Sequence, residues 1–132
     1  MRTHTASVLA FLAGSVMSCA AVAQQPHPFV GEWEGTMKTQ NAGEVELKVV
    51  LAASGGTWRF YAKGASSRRN PCLGPEFPIE VKSSTDRGIV FKVNGASVLK
   101  GCVDDVATLS ATDARTLEGA LADGRKISLT RK

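Results

Sequence analysis

The sequence predicts an all-β protein: a small antiparallel up-and-down β-barrel of about eight strands, with a β-sandwich as the alternative. Two observations favour this fold class. Apolar and polar residues alternate with a period of two through much of the chain, whereas the helical period of 3.6 residues is scarce. The alternating segments also recur at intervals of roughly 8–14 residues, a rhythm that is typical of barrels and sandwiches.

The first three predicted strands lie in residues 29–39, 45–51 and 58–61. In the first, Trp33 and Met37 fall on one face, and charged or polar residues occupy the other. In the second, Val and Leu alternate with Glu and Lys until a Ser-Gly-Gly break. Side chains alternate between the two faces of a strand, so each segment presents one apolar face to a core.

Five more segments follow with the same alternation: 77–82, 89–94, 106–112, 116–122 and 125–131. The apolar faces together hold enough large side chains to fill a small core, at roughly 1.5–3 kcal/mol for each one buried. The sequence therefore predicts a domain that folds without a ligand.

Turn signals divide these strands. Asp123-Gly124 and Asn94-Gly95 are dipeptides that favour tight hairpins. Residues 97–100 fit either a short strand or a helical turn. Residues 64–75 form the longest stretch without alternation and are expected to be a loop.

Residues 1–23 predict a secretory signal peptide. Arg2 precedes an apolar run, and Ala21-Val22-Ala23 forms a small-x-small cleavage site before Gln24. An alternative is a lipoprotein signal in which Cys19 is lipidated, since residues 16–19 loosely resemble a lipobox. The expected location is periplasmic or secreted, or the outer membrane if Cys19 carries lipid.

After cleavage, residues 24–28 are expected to form a flexible leader and residues 29–132 the barrel domain. The length of the chain after cleavage suits one domain, and we expect the protein to be a monomer. The formal net charge of the whole chain is +4, and charges of both signs are interspersed, which argues against a nucleic-acid partner. No second apolar run is long enough to predict a transmembrane segment.

Cys72 and Cys102 remain after cleavage and are expected to form a disulfide in an oxidising compartment. The competing interpretation, a metal site, needs further ligands, and the histidine left for it is His27, which stands between two prolines. We therefore predict no metal.

Catalytic patterns are weak in this chain. A Ser or Cys nucleophile needs a nearby base, and His27 lies in the predicted leader. Glu32 and Glu34 lie on a solvent face, and Asp104-Asp105 are adjacent, so they point to opposite sides of a strand. No phosphate-binding or dinucleotide-binding loop is present. We expect a non-enzymatic protein without a cofactor.

Gly31-Glu32-Trp33 resembles the Gly-x-Trp first strand of the calycin barrels, the lipocalin and avidin group. The resemblance implies that Trp33 plugs one end of the barrel and that a basic residue from the last strand packs over its ring. Arg131 is the first candidate for that residue and Arg125 the second. The chain also resembles small secreted barrel proteins of unknown function from Burkholderia-type proteobacteria, which implies the fold and export and no activity.

We therefore expect a binding module for a small molecule or an envelope component, acting through the barrel mouth or the loop that carries Arg68 and Arg69. Adjacent guanidinium groups suit carboxylates, phosphates or an acidic protein cleft, although they also suit plain solvation. Trp58 and Tyr61 suit a carbohydrate or aromatic ligand. The alternative is a core Trp58 and an outward Tyr61 packed beside Lys63 or Arg59.

A second function class stays open. The apolar inventory fills a small barrel by itself, so the protein can instead be a packed structural or envelope-interaction protein without an internal ligand. The Arg68/Arg69 loop would then contact a protein partner, as a hydrolase inhibitor does.

Overall fold

The computed structural model describes residues 27–39, 43–62 and 70–132, which form a closed barrel of eight antiparallel strands. Each strand pairs with the next along the chain, and the last pairs with the first. This confirms the up-and-down barrel over the sandwich. The strands are β1 (Gly31–Thr39), β2 (Gly43–Leu51), β3 (Gly55–Ala62), β4 (Glu76–Ser84), β5 (Gly88–Val93), β6 (Asp105–Asp113), β7 (Thr116–Leu121) and β8 (Lys126–Arg131).

Within the described ranges no helix has the length and hydropathy of a membrane span.

The barrel interior is filled by the apolar face of every strand. The largest side chains that are less than 2% exposed are Trp33, Trp58, Phe91, Met37, Leu47, Leu51, Ile89, Leu109, Leu117, Leu129, Val45 and Val49.

The barrel closes where β1 pairs with β8, and this pairing is very close at Gly35. A Cβ atom at position 35 would lie 1.9 Å from the carbonyl oxygen of Ser128. Only glycine lets the two backbones approach so nearly. Gly35 is therefore part of the closure itself.

The two predicted hairpin dipeptides have different outcomes. Asp123-Gly124 does turn the chain between β7 and β8: Gly124 has a φ of +94°, and its N–H donates to the carbonyl of Leu121 at 2.9 Å. A hairpin at Asn94-Gly95 is the wrong prediction, since Asn94 begins the long connection between β5 and β6.

The β5–β6 connection is held by its own hydrogen bonds. The N–H of Leu99 donates to the carbonyl of Gly95 at 3.2 Å, and the N–H of Ala96 donates to Asp104 Oδ1 at 3.1 Å. These bonds offer the backbone an alternative to a tight hairpin. Residues 97–100 lie in turns and not in a strand.

The folded domain begins before the predicted boundary at residue 29. His27 is only 6% exposed, its Nε2 lies 2.7 Å from the carbonyl oxygen of Ala52, and its Nδ1 accepts from the N–H of Phe29 at 3.2 Å. Both ring nitrogens are thus satisfied by backbone groups. The structure places His27 and Pro28 against the barrel, not in a leader; residues 1–26 lie outside the described residues.

Candidate ligand site at the barrel mouth

The two ends of the barrel are built differently. At the end that we call the closed end, Arg131 lies over the ring of Trp33, with its guanidinium carbon 4.4 Å from the ring centroid. The same guanidinium donates to the carbonyl of Val30 at 2.8 Å and to that of Pro28 at 2.7 Å. Arg131 therefore ties the entering chain, the first strand and the last strand together.

The closed end is tightly packed around this arginine. Trp33 is 1% exposed, and its indole N–H donates to the carbonyl of Phe29 at 2.9 Å. Gly31 has a φ of +141°, and a Cβ atom there would lie 2.9 Å from a guanidinium nitrogen of Arg131. The structure thus brings Gly31, Trp33 and Arg131 together, whereas Arg125 immediately precedes the opposite end of β8.

The opposite end, which we call the mouth, holds a cavity of about 260 Å³. The described connections around it are those between β3 and β4, β5 and β6, and β7 and β8. Its walls combine apolar side chains with the polar side chains of Asn70, Asp105 and Arg125. The cavity is lined by Met37, Val45, Phe60, Asn70, Cys72, Leu73, Phe77, Val93, Gly101, Cys102, Val103, Asp105 and Arg125.

A disulfide crosses this mouth. Cys72, in the β3–β4 connection, is bonded to Cys102, in the β5–β6 connection, with the two Cα atoms 5.8 Å apart. The predicted pairing is thereby confirmed in the structure. Both cysteines line the cavity, so the bond fixes two of the connections that form its walls.

The polar edge of the cavity is an ion-paired cluster. Arg125 Nε lies 2.7 Å from Asp123 Oδ2, and Arg125 Nη2 lies 3.4 Å from Asp105 Oδ2. The Asp105 side chain is 18% exposed, and its pKa is raised above the ordinary value. Burial is the main cause; attraction by Arg125 opposes it, and repulsion by Asp123 and Asp104 adds to it. Burial therefore makes the charged form of Asp105 costly.

The predicted aromatic candidates point in opposite directions. Trp58 is fully buried, and its indole nitrogen has no hydrogen-bond partner among the described residues. Its ring meets the ring of Phe60 edge-on, with centroids 5.2 Å apart, and Phe60 lines the cavity. Tyr61 faces outward, with Lys48 and Arg59 at 5.0 and 5.2 Å from its ring centroid. They do not form one site.

The other predicted polar candidates lie elsewhere. Arg68 and Arg69 fall outside the described residues, between Ala62 and Asn70. Glu32 and Glu34 are exposed, and Glu34 pairs with Lys132 at 3.2 Å. Among the residues that the structure describes, no group of His, Cys, Asp and Glu side chains is arranged to hold a metal ion.

Sequence reasoning missed the polar edge of the mouth, although a signal for it was present. Asp105 stands two residues before Ala107, and Arg125 stands two residues before Ile127; both of these apolar residues face inward. Alternation of side chains therefore places both charges on the inward face at the strand ends. This alternation therefore predicts that Asp105 and Arg125 lie at the rim of the cavity.

Comparison with solved structures finds a redesigned β-barrel with 11% sequence identity and a TM-score of 0.45. The match covers 80% of this chain and 92% of that chain. No family model and no curated protein matches the sequence. The arguments about function therefore rest on the mouth itself.

Proposed function

We propose that this protein is an exported, non-enzymatic binding module that takes a small, mainly apolar ligand into the mouth of the barrel. One observation carries the proposal. The closed end is packed around Trp33 and Arg131, whereas the mouth holds a cavity of about 260 Å³ lined by apolar side chains and a few polar ones. Small-molecule sites are typically concave and apolar with a few polar groups, and they commonly occur at the mouths of β-barrels.

The mouth is also braced before any ligand arrives. The Cys72–Cys102 bond joins two of its walls, and the N–H of Cys72 donates to Asn70 Oδ1 at 2.9 Å. The N–H of Gly74 donates to the carbonyl of Phe60 at 2.8 Å, which fastens the β3–β4 connection to its strand. A preorganised site loses less conformational entropy on binding, and this favours affinity.

The size of the cavity limits the ligand. Drug-sized ligands occupy pockets of roughly 300–1,000 Å³, and an apolar cavity of about 150 Å³ accepts benzene. The cavity at the mouth lies between these sizes. We expect a ligand with one ring or a short alkyl chain.

Two exposed valines allow a matched test of this site. Val103 lines the cavity, whereas Val98 lies in the same β5–β6 connection and does not line it. Val103→Asp should weaken binding of phenethyl alcohol about three-fold, because it replaces apolar surface beside the cavity with a hydrated carboxylate. Val98→Asp should leave the affinity unchanged. Calorimetric titration of both variants checks the prediction.

Nuclear magnetic resonance adds a spatial control. The chain has two tryptophans, and Trp58 contacts Phe60 of the cavity wall while Trp33 lies at the closed end. Binding at the mouth should shift the indole N–H signal of Trp58 and not that of Trp33. No binding of any small apolar probe, neutral or charged, would contradict the small-ligand function. It would favour the packed, partner-binding alternative, for which Arg68→Ala/Arg69→Ala becomes the informative variant.

Export is tested by the N-terminus of the protein made in a Gram-negative bacterium. We expect the periplasmic fraction to contain a chain that begins at Gln24, since Ala21-Val22-Ala23 precedes it. Mass spectrometry of the intact protein measures this directly. A chain that begins at a lipidated Cys19 would establish the lipoprotein alternative, and an uncleaved cytoplasmic chain would contradict export.

A further inference from the structure

We infer that the ligand of the mouth carries a cationic amine, and that Asp105 receives it at the rim of the cavity. This inference rests on the proposed function and adds the chemical class of the ligand. The preferred molecule has one apolar ring or a short chain inside the cavity and an ammonium group at its edge. Charge, hydrogen bonding and solvation at the mouth each point to this class.

The charge count among the described residues around Arg125 favours a cation. Two carboxylates, those of Asp105 and Asp123, share the single guanidinium of Arg125. The next acid, Asp104, has its own partner in Lys92, whose Nζ lies 3.5 Å from Asp104 Oδ2. The described cluster around Arg125 therefore has one negative charge in excess. A cationic ligand would neutralise it, whereas an anionic ligand would add to it.

Arg125 is bonded more closely to Asp123 than to Asp105. Its Nε donates to Asp123 Oδ2 at 2.7 Å, and its backbone N–H donates to Asp123 Oδ1 at 3.0 Å. Its contact with Asp105 is longer, at 3.4 Å. The β7–β8 turn thus holds the guanidinium toward Asp123, so an ammonium group beside Asp105 would not have to displace a short bond.

The surroundings of Asp105 strengthen the same preference. Its carboxylate lines the cavity beside apolar walls, where burial makes the charged form costly and raises its pKa. A bound ammonium group would compensate that charge through a charge-assisted hydrogen bond. Binding of an amine should therefore be stronger than binding of a neutral molecule with the same ring.

Three probes with closely similar apolar parts separate the alternatives. Phenethylamine carries a positive charge at neutral pH, phenethyl alcohol carries none, and hydrocinnamate carries a negative charge. We expect phenethylamine to bind about ten-fold more tightly than phenethyl alcohol at low ionic strength, and hydrocinnamate to bind most weakly. Calorimetric titration of the oxidised protein beginning at Gln24 measures all three affinities.

Matched variants identify the residue that is responsible. Asp105→Asn should reduce the preference for the amine over the alcohol from about ten-fold to about one-fold. Asp104→Asn is the control: it removes a neighbouring charge that does not line the cavity and keeps the side-chain oxygen that accepts from Ala96. This variant should retain the preference for the amine.

The outcomes distinguish the inference from the function on which it rests. If the alcohol and the amine bind equally, or if hydrocinnamate binds best, the amine class is overturned and the small-ligand function stands. If the preference for the amine survives Asp105→Asn, the role of Asp105 is overturned. If none of the three probes binds, both the proposed function and the inference fail.

Discussion

Replacing both cysteines, as Cys72→Ser/Cys102→Ser, should lower the free energy of unfolding by about 3–4 kcal/mol according to the chain-entropy estimate. The bond joins residues 30 positions apart, so the oxidised unfolded chain is markedly restricted. A domain of this size has a total stability of roughly 5–15 kcal/mol, and the loss should therefore be plain in a denaturant titration. We also expect weaker ligand binding, because two walls of the mouth lose their covalent tie.

The measurement needs a control for the loss of the buried sulfur atoms themselves. Cys102 is 7% exposed, and serine at this position places a hydroxyl in apolar surroundings. The unsubstituted protein beginning at Gln24 should therefore be compared before and after reduction as well. The oxidised form should show no reactive thiol under denaturing conditions. A free thiol, or equal stability of the oxidised and reduced forms, would contradict the pairing.

The fold was predictable because one physical signal recurs in every predicted strand. Alternation with a period of two sets which side chains face inward, and each predicted strand overlaps an observed one, from Trp33 in β1 to Leu129 in β8. Closure agrees with the same pattern, because β8 pairs with β1 in a register that keeps the apolar side chains of both strands on the inward face. The disulfide was predictable because Cys72 and Cys102 are the two cysteines that follow the predicted signal peptide, which leaves one possible pairing.

The mouth was less predictable because its shape depends on connections, not on strands. Asn94-Gly95 satisfies the local preference for a hairpin, but hydrogen bonds to Asp104 and within the loop hold a longer connection there. Alternation along β6 places Asp105 on the inward face, but its burial can be inferred only once the barrel is known to close. His27 was expected in a flexible leader, whereas its two backbone partners become available only beside the folded end.

Arg131→Ala should be the second most damaging of these substitutions, with a loss of about 2–4 kcal/mol in the free energy of unfolding. The arginine covers the face of Trp33 and donates to the carbonyls of Val30 and Pro28. Its removal uncovers the indole ring and frees the entering chain from the end of the barrel. Chemical denaturation measures the loss, and a red shift of tryptophan emission in the native state should accompany it.

Two further substitutions determine which property of the arginine matters. Arg131→Lys keeps a cation over the indole ring but lacks the planar fork that reaches both carbonyls, so its loss should be intermediate. Arg125→Ala removes the arginine in the turn before β8, whose ion pairs are partly solvated. Its loss in the free energy of unfolding should be smaller than that of Arg131→Ala. Equal losses for Arg131→Ala and Arg125→Ala would contradict the larger contribution expected of Arg131. A lysine variant as stable as the unsubstituted protein would assign the effect to the cation over Trp33 alone, because the two carbonyl bonds would then contribute nothing.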